Sequence, residues 1–318
     1  MDLLELIKNQ IDSLPDSIRN TTKIPFVLTH IARAEHFLRE AERIPDDQYL
    51  NDAVYRANQA FEAILKEAYK FFTDRDASRQ NIFQIENYII RNKILNPRVT
   101  DLLKNYRTQW RNPSTHDYSL SFSQQEALVA VVSVQMFIKV LLNQIVAEIA
   151  FRNERDRVPE PGRMSHLTLG YQQLALIDKV ASICVAFAKN IGRDKMEALH
   201  NHIQLEGALN AFILNVDPSI EVKSQIRSSG QPISIKNRPD YFISFNQEMM
   251  ILELKVGYKK NYEEDAIYRI VQYLTVFNPK QGLIFFIQPG ENEYEFIKQE
   301  ITIEKEKITV ALVRPKMN

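Results

Sequence analysis

The sequence predicts an α+β protein of two domains. An all-α helical bundle comes first, and an α/β domain with a central mixed sheet flanked by helices follows. Three observations predict this. The first half places its apolar residues at the three-four spacing of helix faces. A charged stretch with two Pro and one Gly, RNERDRVPEPGRMS over 152–165, interrupts the chain near its middle. From Ile220 onward the texture shifts to short apolar runs suited to strands, with helical pattern between them. A length of 318 residues suits about two domains. The boundaries are therefore 1–151 for the bundle, 152–165 for a linker and 166–318 for the sheet domain.

The elements follow in order. Over 28–44, Ile31, Ala34, Phe37, Leu38, Ala41 and Ile44 lie on one helix face. Over 47–73, Leu50, Val54, Ala57, Phe61, Ile64, Leu65, Ala68 and Phe72 do the same, with Asp52, Arg56, Glu62 and Lys66 opposite. Shorter helices are expected at 80–91 and 98–111. Pro113 disfavours helical geometry at Asn112, so the latter helix should end there. Ser123 and Glu126 have the spacing of a capping box. They open a long helix to about Phe151 that is apolar on nearly every side. It needs cover all round, from the centre of a bundle or a dimer interface. Two more helices, 167–190 and 194–214, precede candidate strands at 220–226, 241–245, 249–256, 282–287 and 308–313. A helix at 263–277 separates the third and fourth strands, and a short helix is expected at 293–299.

Bulk properties narrow the function classes. Hydrophobic residues make up 45% and charged residues 25%, an ordinary balance for a folded soluble chain. The formal net charge is zero, so nucleic-acid binding would have to use local patches. The one cysteine, Cys184, lies in the apolar run ASICVAF and reads as core filler in a reducing compartment. MDLLELIKNQ is acidic where a signal peptide is basic. The apolar stretch 127–142 is interrupted by Ser133, Gln135 and Lys139, against a membrane span. The expectation is a cytoplasmic protein with no membrane partner.

The run MMILELK, Met249–Lys255, reads as a buried strand that carries two charges. Such charges cost several kcal/mol unless partnered. Strand alternation puts Glu253 and Lys255 on one face with Met249 and Ile251. A turn at Asn246-Gln247 can fold the preceding strand back and bring Asp240 beside Glu253. Two carboxylates and an ammonium then converge, a set that can hold Mg²⁺ or Mn²⁺ and stabilise a phosphate under attack. The other Glu-x-Lys of the chain, Glu221-Val-Lys223, lacks both the apolar strand and the room for a hairpin.

The order Pro239-Asp240, then Glu253-x-Lys255, resembles the PD-(D/E)xK nuclease superfamily over about 195–315. That resemblance implies a restriction-endonuclease-like fold and Mg²⁺-dependent hydrolysis of phosphodiester bonds, in DNA first. It implies Asp240 and Glu253 as metal ligands, Glu206 as a further acid, and Lys255 as the contact to water or transition state. It also points to Arg269 and Gln272 on the following helix, with Tyr268 and Tyr273 nearby, for nucleic-acid contacts.

A second pattern lies in the helical half. Arg111-Asn112 is followed by His116 in a connection constrained by Pro113. A His can exchange a proton with a ribose hydroxyl or leaving oxygen, and an Arg can grip the phosphate. With its helices, this segment resembles a HEPN domain over 24–150, which carries an R-x(4–6)-H motif, often with Asn after the Arg. The resemblance implies homodimerisation through the helical domain and metal-independent RNA cleavage by Arg111 and His116, with Asn112 contacting the RNA. The remaining histidines, His30, His36, His166, His200 and His202, form no metal cluster by spacing, although His200 and His202 lie near the candidate site.

Fused domains of these two kinds resemble prokaryotic antiphage defence effectors, which implies a defence-system partner protein. The leading expectation is thus a metal-dependent nuclease with a dimerising helical domain. One alternative is a HEPN ribonuclease whose C-terminal domain only binds nucleic acid. The other is a non-catalytic component of a defence complex.

Overall fold

A computed structural model describes residues 2–44, 46–116, 121–157, 170–198, 202–224, 239–288, 290–303 and 306–316. The chain forms two compact units, 1–145 and 146–318. The division falls within one helix, seven residues before the stretch expected as a linker, of which 158–165 lie outside the described residues.

The first unit is helical: α1 (Leu3–Asp12), α2 (Asp16–Arg19), α3 (Ile24–Arg43), α4 (Asp47–Thr73), α5 (Ile82–Arg91), α6 (Pro97–Tyr106), α7 (Asn112–His116) and the first part of α8 (Gln124–Arg155). α1 is capped by Asp2, whose carboxylate accepts from the Leu4 amide. It was not anticipated from the sequence. The stripe expected on α4 is buried, from Leu50 to Ala68. The capping box at Ser123 forms: its hydroxyl and amide both bind the Glu126 carboxylate.

α8 is long and apolar enough to cross a membrane by length and composition, yet its apolar window is mostly buried. Phe137 meets Phe61 of α4 at 5.1 Å between ring centres. Its buried amides are tied to neighbours: Gln135 donates to Glu35 at 2.6 Å, and Gln144 donates to the Ile94 carbonyl at 3.0 Å. The central place in the bundle is therefore realised. A short apolar strip of Leu128, Val129 and Val132 stays exposed.

The expected end of the helix at Asn112 does not occur. α6 continues through a π-helical turn, Arg107–Arg111, directly into α7. Asn112 is helical, and its amide reaches back to the Arg107 carbonyl. A widened turn just before Pro113 gives the ring space that a regular α-turn denies it.

The second unit is built on a six-stranded sheet in the order β1-β2-β3-β4-β6-β5. Its elements are the end of α8, a 3₁₀ turn at Tyr171–Gln173, α9 (Leu176–Ala198), α10 (His202–Val216), β1 (Glu221–Ser224), β2 (Tyr241–Phe245), β3 (Glu248–Val256), α11 (Asn261–Phe277), β4 (Gln281–Ile287), β5 (Tyr294–Ile303) and β6 (Glu306–Pro315). β1, β2 and β3 pair antiparallel, and β4 lies parallel to β3 and to β6. The helix expected at 293–299 is instead strand β5, antiparallel to β6 from Tyr294↔Pro315 to Ile303↔Glu306. The helix-forming Glu, Lys and Gln of YEFIKQEITI mislead because full-length strand pairing and the packing of Ile297 and Ile301 override local propensity.

β3 is central and covered on both faces. Met250, Leu252 and Leu254 pack with Ile183, Phe187 and Leu209 of α9 and α10. Ile251 packs on the other face with Ile270 and Leu274 of α11. Each such side chain contributes about 1.5–3 kcal/mol of burial. The Asn246-Gln247 turn takes positive φ at both residues, 47° and 69°, as a two-residue hairpin between twisted strands requires. α10 sits against the end of α8 backbone to backbone: a Cβ at Gly207 would lie 2.2 Å from the Ala147 carbonyl oxygen.

Candidate functional site

Backbone pairing of β2 with β3 stops at Tyr241↔Leu252. Asp240 and Glu253 come next, and here side chains take over the ladder. The Asp240 amide donates to Glu253 Oε1 at 3.1 Å, and the Leu254 amide donates to Asp240 Oδ2 at 2.8 Å. Lys255 Nζ donates to Glu253 Oε2 at 2.6 Å. Asp240, Glu253 and Lys255 are thus brought together at the carboxyl end of β3, the end of a parallel pair where open α/β sheets place ligands. Glu221 and Lys223 lie in the edge strand β1, paired with Ser244 and Phe242 of β2.

α10 completes the site. Tyr241 Oη donates to the Glu206 carbonyl at 2.7 Å, which fixes the helix against β2. One turn apart on α10, His202 Nδ1 and Glu206 Oε1 are 3.2 Å apart. His202 Nε2 lies 2.8 Å from the Leu254 carbonyl and 3.8 Å from Asp240 Oδ2. His202, Glu206 and Asp240 each offer a donor atom within 4.8 Å of the others, so these three could share one ion. Glu253 falls outside that trio; Lys255 and the Asp240 amide bind its oxygens. His202 was left out of the expected ligand set; the cue was its i, i+4 spacing to Glu206, which puts both on one helix face.

Three carboxyl groups are buried here, Glu206, Asp240 and Glu253. Burial, and then the Glu206 charge, raise Asp240 to about 6. Burial, and then Asp240, raise Glu253 to about 7. His202 moves up to about 9: burial opposes its charge, but the Glu206 contact and the Asp240 charge outweigh it. Lys255 and a protonated His202 face these three carboxyl groups, so a cation that displaced the His202 proton would take over its charge in the cluster.

A cavity of about 380 Å³ opens beside the cluster, lined among others by His202, Lys255, Tyr262, Arg269 and Phe286. Arg269, expected as a nucleic-acid contact, is thus on the wall of this cavity. Gln272, one turn on along α11, is exposed and does not line the cavity. Tyr268 is exposed as well, whereas Tyr273 is buried, pushed up to about 12 by burial and the Glu253 charge.

In the helical unit, Arg111 is held on α4. Its Nη2 lies 3.3 Å from Glu62 Oε1, and its Nη1 donates to Asn112 Oδ1 at 3.2 Å. A hydrogen-bonded chain braces the same turn. Tyr106 Oη donates to Asn58 Oδ1, Asn58 Nδ2 donates to Ser114 Oγ, each at 2.7 Å, and Ser114 Oγ donates to the Arg111 carbonyl at 3.0 Å. Asn58 and Glu62 were missed from the sequence as partners of this site, because only the fold sets α4 against the π-turn. His116 closes α7, and its side chain lies outside the described residues.

Residues 27–145 match the family model of the HEPN domain, in agreement with the resemblance seen in the helical half. No curated protein and no solved structure matches the chain.

Proposed function

We propose that the chain is a nuclease whose second unit hydrolyses phosphodiester bonds, in DNA first, with a divalent cation. The observation that carries this is the convergence of His202, Glu206 and Asp240 donor atoms beside the Glu253–Lys255 pair. The order of α10, three antiparallel strands, α11 and a parallel strand supports a restriction-endonuclease-like core. The donor set suits Mg²⁺ or Mn²⁺, since carboxylates dominate it. Such an ion, when bound, lowers the pKa of a coordinated water and neutralises charge on the phosphate.

The chain's own groups supply the rest. Asp240 and Glu206 present oxygens to the cation. Glu253 orients Lys255 through their 2.6 Å contact. Lys255, at the cavity wall, is placed to donate to the water or to a non-bridging oxygen as charge builds in the transition state. Arg269, at the same wall, holds an adjacent phosphate. Cleavage of plasmid DNA with Mg²⁺ tests this. Purified, folded Asp240→Ala and Lys255→Ala proteins that cleave as fast as wild type would refute the assignment.

A second reading has its own support in the HEPN match and the braced Arg111. The helical unit dimerises and cuts RNA without metal, Arg111 gripping phosphate while His116 exchanges the proton and Asn112 contacts the RNA. The exposed strip Leu128, Val129 and Val132 supports a homodimer contact. RNA cleavage that persists in EDTA and disappears in His116→Ala is its expected signature. A role in antiphage defence, with a partner protein that controls the nuclease, fits either reading.

A further inference from the structure

The imidazole of His202 is not a bystander of the cation site. It is the first residue of α10, and its ring spans two acceptors: Nε2 meets the Leu254 carbonyl at 2.8 Å, and Nδ1 meets Glu206 Oε1 at 3.2 Å. A carbonyl oxygen can only accept, so Nε2 carries a proton. That fixes the ring, sets Nδ1 against Glu206 and leaves Nε2 3.8 Å from Asp240 Oδ2; a cation on Nδ1 would displace the proton that the raised His202 carries there. Metal-bound histidines are held in this way, one nitrogen donating to a backbone carbonyl and the other free for the metal. The anchor is itself part of the site: Leu254 also donates its amide to Asp240 Oδ2 at 2.8 Å. The same peptide neighbourhood of β3 therefore orients both the imidazole and one carboxylate. His202 also lines the cavity through which a phosphate would arrive.

We propose that His202 Nδ1 is a protein ligand of the cation, with Glu206 and Asp240, and that it selects Mn²⁺ over Mg²⁺. This rests on the reading of the cluster as a metal centre. Mg²⁺ takes oxygen ligands almost alone and keeps its waters. Mn²⁺ shares that taste for carboxylates, and because it holds its waters less tightly than Mg²⁺ it loses less when one oxygen ligand is replaced by an imidazole nitrogen. Glu253, held by Lys255 and the Asp240 amide, is not needed to complete the trio.

The test uses the full chain with Mn²⁺ alone as probe. Mn²⁺ binding is followed by electron paramagnetic resonance, and electron spin echo modulation reads nitrogen coupling to the bound ion. Wild type is expected to bind Mn²⁺ with ¹⁴N modulation and to require a large excess of Mg²⁺ to displace it. His202→Ala, checked for native circular dichroism, is expected to bind Mn²⁺ at least tenfold more weakly, without ¹⁴N modulation, and to lose most of the preference over Mg²⁺. Mn²⁺ bound to wild type without nitrogen coupling, or coupling that persists in His202→Ala, overturns the proposal while leaving a carboxylate metal centre intact. Wild type that binds no Mn²⁺, or binds it equally well as Asp240→Asn, overturns the metal centre and the proposal together.

Discussion

Replacing Asp240 by Asn removes one charge from a buried cluster and changes almost nothing else. The amide oxygen can still accept the Leu254 N–H that Asp240 Oδ2 accepts at 2.8 Å. Burial and Glu206 raise Asp240 from 3.8 to about 6, a cost of roughly 3 kcal/mol for ionising it in the folded state. The sign follows from linkage. Between those two values the folded protein keeps a proton that the unfolded chain has lost, so stability falls as pH rises through this window and is flat above it. Asn mimics the protonated acid at every pH. In EDTA, Asp240→Asn should therefore match wild type near pH 4 and exceed it by up to ~3 kcal/mol near pH 7.5. Urea unfolding followed by circular dichroism is the assay, because the only tryptophan, Trp110, reports the first unit. Added Mn²⁺ should reverse the order, stabilising wild type and not the variant. A variant that is equally displaced from wild type at both pH values, or destabilised at pH 7.5, would refute the reasoning.

Other outcomes follow from the same structure. Lys255→Met should keep cation binding but lower DNA cleavage by ~10²-fold or more, the scale expected for a transition-state donor, as measured by single-turnover cleavage. Gly207→Ala should cost about 1–3 kcal/mol in thermal unfolding, because its Cβ would meet the backbone Ala147 oxygen at 2.2 Å and neither helix can yield alone. Lys93 follows α5 with φ 50°, and the Ile94 amide bonds the Ile89 carbonyl in a helix-ending motif. Lys93→Gly should stabilise by ~0.5–1 kcal/mol, read as a higher melting temperature. Glu62→Gln should cost no more than ~1 kcal/mol of stability. It should also slow EDTA-resistant RNA cleavage about tenfold if Arg111 works in that reaction, since Arg111 keeps an acceptor at 3.3 Å but loses the charge that holds it there.

Much of this was legible in the sequence. Helix faces such as Leu50–Ala68 declare themselves because burial on one side imposes a 3.6-residue period whatever the partner is. The hairpin and the Asp240–Glu253 encounter were legible because strand alternation and a two-residue turn fix the register. MMILELK carried its own warning, since charges inside an apolar strand call for partners. Local chemistry also misled. YEFIKQEITI has helix-forming residues, and only pairing with β6 makes it a strand. Pro113 is a helix breaker in isolation, and only the π-turn before it lets α6 run on into α7.

The sequence by itself determined the two-domain α+β layout, the HEPN-like helical half, and the strand bearing Glu253 and Lys255. All of these rest on periodicity or on contacts between near neighbours in the chain. Only the tertiary structure decided which groups share the site. Glu62 reaches Arg111 across 49 positions, and His202 reaches the Leu254 carbonyl across 52. Contacts at such separation leave no periodic trace, because they arise when helices pack on a bundle or a sheet, and packing is settled by the whole buried surface rather than by any one segment.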